Sequence, residues 1–211
     1  MESAASIAGP SGIAKWRGAA ERLEARPQSD IGASAYERER LMKAHFQMFA
    51  AYNQWANKLL YEAARRLPDE DYRRDRGAFF KSVHGTLNHI LVGDRIWMKR
   101  FTGEGDAPKR LDAILCDELE TLVVERERED ARIIEWVSGL DAKALAGRFT
   151  YTTITDMRTI SQRVAPAMSH FFNHQTHHRG QAHALLTGFG LEAPSLDLLY
   201  FQRTQEGRKW A

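Results

Sequence analysis

The sequence predicts an all-α fold, a four-helix bundle, and three observations support this prediction. Apolar residues recur at three- and four-residue spacing over long segments, as they do on one face of a helix. Gly and Pro residues are concentrated in the short stretches between those segments, where helices end. The 211 residues fit one domain with an appendage, and no internal repeat is visible. Long helices with short connections are typical of a bundle.

The beginning of the chain differs in character from the rest. Met1–Gly12 is small and polar, and Ala14–Ala25 predicts only a short helix before Gly and Pro interrupt it. We therefore predict that residues 1–36 are a poorly ordered N-terminal extension and that residues 37–211 form the bundle. We further hypothesise that Met1–Arg40 is dispensable for folding.

The elements of the predicted bundle follow in order along the chain. The predicted helices cover about Glu37–Arg66, Ala78–Phe101, Leu111–Ser138 and Pro166–Phe189, with a shorter one near Ser195–Arg203. Pro166 suits a first helical turn, where its missing N–H costs no hydrogen bond. Before it, Arg148–Ile154 and Arg158–Val164 are rich in β-branched and aromatic residues, which predicts a short β-hairpin inserted between helices.

Composition excludes several classes of protein. Cys116 is the only cysteine, so the chain has neither an intramolecular disulfide framework nor a Cys-rich zinc site. Cys116 falls on the third predicted helix. The net charge of +2 lacks the basic excess of a nucleic-acid-binding protein. No apolar run approaches the roughly 18 residues of a membrane span, and no secretory signal is visible. We expect a cytoplasmic protein without nucleic-acid or membrane partners.

The histidines carry the strongest functional pattern. His174 and His178 are four residues apart on one predicted helix, so they project from the same face and can share one ion. His89, which lies mid-helix among apolar residues, is the best candidate for a third ligand. Three neutral imidazoles leave coordination positions open and suit Zn, Ni, Cu or Fe(II). Spacing alone leaves packed core histidines open as the alternative, because such pairs also occur by chance.

Two neighbours of this pair refine the prediction. The spacing is that of the zincin metalloprotease motif, but Gln175 stands where the catalytic glutamate would be. Because glutamine cannot act as a general base, protease chemistry is disfavoured. His170 lies on the same stripe of the helix and is a candidate supporting group.

The order of these motifs resembles the DinB (damage-inducible) family of metal-dependent enzymes. The likeness covers about Met42–Phe201. Three segments carry it, KAHFQMFAAYNQWANKLL at Lys43–Leu60, SVHGTLNHILVGDRIWMKRF at Ser82–Phe101, and FFNHQTHHRGQAHALLTGFG at Phe171–Gly190. The resemblance implies a four-helix bundle that is often a homodimer. It also implies a divalent transition metal, with Zn or Ni expected, held by His89, His174 and His178.

The resemblance also suggests a chemistry, because relatives of this fold include thiol-dependent transferases and isomerases. It implies a small-molecule substrate and a low-molecular-weight thiol. Arg179 and Gln181 are the candidate cofactor-binding residues: Arg179 would orient an anionic substrate, and Gln181 would fix a histidine tautomer. An ion pair or a helix–helix hydrogen bond stays open for each. No catalytic residue is predicted.

Two other functions stay open. A metal-dependent hydrolase would need a carboxylate base, and Asp94 and Glu62 are the remaining candidates, without positional support. A non-catalytic metal-binding protein of a stress response is the alternative from outside the enzymes.

Overall fold

A computed structural model describes residues 34–211 of the chain. Most of the predicted extension, residues 1–33, therefore lies outside the described residues. In chain order the elements are α1 (Ala35–Ala64), α2 (Asp69–Arg73), α3 (Val83–Thr102), α4 (Leu119–Gly139), α5 (Ala142–Ala146), β1 (Arg148–Thr152), β2 (Thr159–Arg163), α6 (Val164–Gly188), α7 (Leu198–Arg203) and a 3-10 turn at Arg208–Trp210. The predicted all-α fold with a short hairpin is confirmed.

Local capping sets the limits of α3. The Ser82 side chain accepts a hydrogen bond from the Gly85 N–H at 3.0 Å, and Gly103 closes the helix in the left-handed region at φ 77°. The helix was predicted to begin at Ala78, but a tight turn closed by the Lys81 N–H on the Ala78 carbonyl, at 2.8 Å, occupies those residues. The start of α3 is therefore later than the apolar periodicity indicates.

The third long helix is also shorter than predicted. It begins at Leu119 rather than near residue 111, because residues 103–118 form an irregular loop. Asn88 holds that loop by accepting from the Cys116 N–H at 3.0 Å and donating to the Cys116 carbonyl at 3.1 Å. The prediction that Cys116 lies on the charged helix was wrong. Its backbone is satisfied by a side chain of α3 instead of by helical hydrogen bonds, and the thiol is buried.

The predicted hairpin packs on the bundle through one face. β1 and β2 pair antiparallel. The ring of Tyr151 lies 5.6 Å from that of Trp97, and the ring of Phe149 lies 5.1 Å from that of Phe101. These contacts bury the inner face of a two-stranded sheet that would be marginal alone. The helix after it, α6, starts two residues before Pro166, which places the proline within the first turn.

Three apolar clusters fill the bundle, and a layer of polar side chains separates the two largest of them. On each long helix the polar positions lie between the two sets of apolar positions; on α1, for example, they follow Phe46 and Ala50 and precede Leu60 and Ala64. No helix in the described part of the chain is long and apolar enough to cross a lipid bilayer. The buried members of the polar layer are Asn53, Asn57, Asp94, Arg126, Asp130, Gln175 and Arg179.

The centre of this layer is a charge-balanced network. Arg126 donates to Asp94 at 2.6 Å and forms an ion pair with Asp130 at 3.0 Å. Gln175 donates to the other oxygen of Asp94 at 2.8 Å. Charges this deeply buried are tolerated only when they are paired, so the layer defines how the helices align with one another.

Candidate metal centre

The three predicted ligands converge between α3 and α6, which pack side by side. His178 Nε2 lies 3.2 Å from His89 Nε2 and 3.1 Å from His174 Nε2. One nitrogen of each ring lies within 4.8 Å of the others, and the three residues form a group that can hold a metal ion. His174 and His178 lie on successive turns of α6, as expected from their four-residue spacing, and His89 on α3 supplies the third nitrogen.

A glycine makes room for this convergence. Gly93 lies one turn after His89 on α3, and a Cβ built there would lie only 2.8 Å from His174 Cε1. Any other residue would push the His174 ring out of the cluster. A glycine inside an apolar helix signals a close approach, so this feature could have been found in the sequence.

An aromatic ring covers the cluster on one side. Phe80 stacks on His89, with ring centroids 3.6 Å apart and planes 15° apart, and it meets His178 edge-on at 5.5 Å. The neighbouring Lys81 adopts a φ of 68°, a left-handed conformation that costs energy for a residue with a side chain. This strained turn places Phe80 over the imidazoles, and no sequence signal predicted it.

Hydrogen bonds on the outer ring nitrogens set the tautomers of two ligands. His89 Nδ1 lies 2.7 Å from the Leu111 carbonyl, which can only accept, so Nδ1 carries the proton. His178 Nδ1 donates to Gln181 Oε1 at 2.7 Å, and the Gln181 amide nitrogen lies 3.1 Å from His177 Nε2. The Nε2 atoms of His89 and His178 therefore both direct lone pairs into the cluster. Gln181 makes the contact expected of a residue that fixes a tautomer.

Burial keeps the cluster neutral. Desolvation lowers the pKa of His89 to about 4 and that of His174 to about 3, with neighbouring imidazoles adding to the shift. Desolvation also lowers the pKa of His178. All three rings are thus unprotonated near neutral pH, which is the state that ligates a metal.

The geometry fits a bound cation. Two inward lone pairs at 3.2 Å, with no proton between them, repel each other unless a positive charge lies nearby. Two nitrogens at the usual Zn–N distance of roughly 2.0–2.1 Å in a tetrahedral site would be about 3.3–3.4 Å apart. The observed spacings of 3.1 and 3.2 Å are close to that value.

The other candidate residue, Arg179, lies away from the cluster in the polar layer. Its side chain is only 2% exposed and donates to Asn53, and to Thr176 Oγ1 at 3.1 Å. Its guanidinium also lies over the ring of Tyr52 at 5.1 Å. These contacts favour its alternative role, which is to tie α6 to α1, and its part in binding a cofactor stays a prediction.

Gln175, which the sequence singled out, and Asn88, the residue before His89, both have structural partners. Gln175, in the position of the zincin glutamate, is fully buried and bonds Asp94, so it faces the polar layer. Asn88 fixes no histidine directly. It anchors the loop whose Leu111 carbonyl accepts the hydrogen bond from His89 Nδ1. The sequence could not predict that acceptor, because every residue has a backbone carbonyl.

A shallow groove of about 380 Å³ lies next to Gln181, the residue that accepts a hydrogen bond from His178. Gln181 lines it, together with Arg76 and Phe79. Phe79 is 83% exposed, an unusual state for a large apolar ring. Of its lining residues, Gln181 is the one that hydrogen-bonds a cluster histidine.

The fold and the site define the chain as a helical-bundle protein with a three-histidine cluster able to hold a metal ion. The sequence profile of the DinB family matches residues 42–209, and the chain belongs to that family. It is similar to Protein DinB of Bacillus subtilis (strain 168), with 27% identity over 163 residues that cover 74% of this chain and 94% of that protein.

Proposed function

We propose that the protein binds one divalent transition metal through Nε2 of His89, His174 and His178 and catalyses transfer of a low-molecular-weight thiol to an electrophilic small molecule. The observation that supports this most is the pair of inward lone pairs on His89 and His178, 3.2 Å apart. Zn and Ni both suit three imidazoles.

An open site favours catalysis over a structural role. Structural zinc sites are closed by four protein ligands, whereas catalytic ones keep a position for water or substrate. The described residues place three candidate ligands in this cluster, one fewer than a closed zinc site has. A metal held there would lower the pKa of a bound thiol so that thiolate is present near neutral pH.

The residues of the chain would hold and orient the reactants. The thiol proton leaves to solvent, the sulfur forms a bond to the electrophilic carbon, and the leaving group departs with the electron pair of the bond that breaks. Phe80 excludes water from one face of the imidazoles. Gln181 and the Leu111 carbonyl keep two rings in the ligating tautomer.

Hydrolysis is the weaker candidate because a free general base is missing from the described site. Asp94 is a buried carboxylate five residues after His89, but Arg126 and Gln175 already bond its two oxygens. Glu62 lies on the surface and pairs with Arg65. Neither carboxylate is placed to activate a water at the cluster.

Metal analysis tests the first half of the proposal. The purified protein should carry about one equivalent of metal, and His174→Ala and His178→Ala should lose it while circular dichroism shows an intact helical fold. His183→Ala, a histidine of α6 outside the cluster, is the matched control. Full metal content in both ligand variants would refute the assignment.

A thiol screen tests the second half. The metal-loaded protein should conjugate at least one low-molecular-weight thiol to an electrophile such as chlorodinitrobenzene, and the metal-free protein should not. Turnover of an ester or amide without any thiol turnover would establish the hydrolase instead. If neither added thiols nor exchange of bound water changes the absorption spectrum of the bound metal, the site is non-catalytic.

A further inference from the structure

Arg100 lies on the same face of α3 as the metal cluster, at the other end of a continuous stripe. The stripe runs from His89 through Gly93 and Trp97 to Arg100, at spacings of four, four and three residues. From Gly93, which touches His174, to Arg100 is seven residues, or roughly 10 Å at 1.5 Å per residue. Because His89, Gly93 and Trp97 are buried, a molecule bound at the cluster would pass along the edge of the stripe, beside the exposed His170 of α6, to reach Arg100.

Two aromatic rings form a corner that holds the Arg100 guanidinium. Its Cζ lies 4.7 Å from the ring centre of Trp97 and 4.4 Å from that of Tyr151, and the two rings are 5.6 Å apart. Tyr151 belongs to the hairpin. The hairpin therefore contributes one wall of this corner, and cation–π contact stabilises the charge there.

No carboxylate in the described part of the chain pairs with Arg100. Other arginines of the bundle have such partners: Arg95 pairs with Glu125, and Arg132 pairs with Glu129. Arg100 is half-buried, and desolvation lowers its pKa. The aromatic rings contact the faces of the Arg100 guanidinium and leave the N–H donors at its edge free. Those donors suit an anion with two oxygens, such as a carboxylate.

A second donor stands beside this corner. The exposed ring of His170, on α6, lies 5.0 Å from the ring of Trp97 and 5.8 Å from that of His174. It thus lies between the cluster and Arg100. Its position extends the polar edge of the stripe toward the metal centre.

We propose that Arg100 binds a carboxylate of the ligand whose thiol end occupies the three-histidine cluster. This rests on the proposed function and assigns the substrate class: an anionic thiol with its carboxylate about 10 Å from the sulfur. Arg100 takes the role that the sequence suggested for Arg179. The guanidinium of Arg179 is occupied by Asn53 and Thr176, whereas that of Arg100 has no acceptor among residues 34–211.

The test compares thiols that differ only in the charge at the far end. Cobalt-loaded protein is titrated with 8-mercaptooctanoate and with 8-mercaptooctanol, and the thiolate–cobalt absorption band reports each Kd. The acid should bind roughly tenfold more tightly, the gain expected from one charge-assisted pair. Arg100→Gln should bring the two affinities within about twofold. Lys99→Gln, a change at the exposed cation next in sequence, should keep the full preference.

Chain length supplies an internal control. The short acid 3-mercaptopropionate cannot span roughly 10 Å, so it should show no preference over 3-mercaptopropanol. Equal affinity of the long acid and alcohol for the wild type, or a preference that survives in Arg100→Gln, would overturn the proposal while leaving thiol binding intact. If Arg100→Gln does not fold, Arg100→Lys replaces it, with an expected loss of at least threefold in preference.

A second measurement needs neither metal nor thiol. Octanoate is titrated into metal-free, nitrogen-15-labelled protein, and the arginine Nε–H resonances are followed by nuclear magnetic resonance. The resonance that disappears in Arg100→Lys should shift saturably with octanoate and stay in place with octanol. An Arg100 resonance that does not shift with octanoate would overturn the proposal. Failure of the cobalt protein to bind any thiol is a separate result, which would refute the proposed thiol transfer.

Discussion

The Nδ1–H of His89 donates to the carbonyl of Leu111 at 2.7 Å, across 22 residues of chain. This bond joins a metal-ligand candidate on α3 to the irregular loop that precedes α4. Because Asn88, the residue before His89, anchors the same loop at Cys116, the orientation of the imidazole depends on a loop that α3 itself holds in place.

Asn88→Ala should therefore weaken metal binding although it removes no ligand. Without its amide, the Leu115 and Cys116 N–H groups lose their acceptor, the loop shifts, and the Leu111 carbonyl no longer holds the His89 ring. We expect metal affinity to fall about 10- to 100-fold, the usual effect of losing an outer hydrogen bond. Chelator competition measures it. Unchanged affinity would show that the loop does not orient His89.

Gly93→Ala should also weaken metal binding, by a steric route. Its Cβ would lie 2.8 Å from His174 Cε1, so the ring must move away from the other two Nε2 atoms. Gly180→Ala on α6 is the matched control, because a Cβ there meets nothing within 4 Å. The control should keep its metal and gain roughly 0.5–1 kcal/mol of helix stability. Equal metal affinity in the two variants would contradict the steric argument.

Asp94→Ala should destabilise the fold strongly. It leaves Arg126 buried without its 2.6 Å partner and deprives Gln175 of its acceptor. Breaking a buried ion pair by removing one member costs about 3–5 kcal/mol. Urea unfolding measures the loss. Asp112→Ala, which removes an exposed pair with Arg110, should cost less than about 1 kcal/mol; a similar loss in both would refute a special role for the polar layer.

The imidazoles of the cluster should lower the stability of the metal-free protein as the pH falls below neutrality. The folded-state pKa of His89 is about 4 and that of His174 about 3, both below the ordinary 6.5. At these rings the unfolded chain binds protons that the folded one does not, so their contribution to the free energy of unfolding decreases from pH 6.5 toward pH 4. Burial raises the pKa of Asp130 to about 6, so that carboxyl contributes with the opposite sign. Urea titrations at several pH values measure the slope. His174→Asn should remove the share of this decrease that His174 contributes, and a slope equal to that of the wild type would contradict the assignment.

Much of this protein follows from local pattern. Three- and four-residue periodicity predicted the long helices, and the fourfold spacing of His174 and His178 predicted that both point the same way. These features depend only on residues within one or two helical turns, and their spacing can be read from the sequence. The limits of α3 and α4 were harder, because a capping serine and a side chain of another helix compete with periodicity there.

Only the tertiary structure decided which side chains meet. His89 was a candidate from its setting, but its approach to His178 depends on how α3 packs against α6 and on the space that Gly93 leaves. The same packing places Arg179 in the buried layer and leaves Arg100 half-buried against the rings of Trp97 and Tyr151. Both are arginines on long helices, and their different surroundings come from contacts between segments far apart in sequence, which no local pattern encodes.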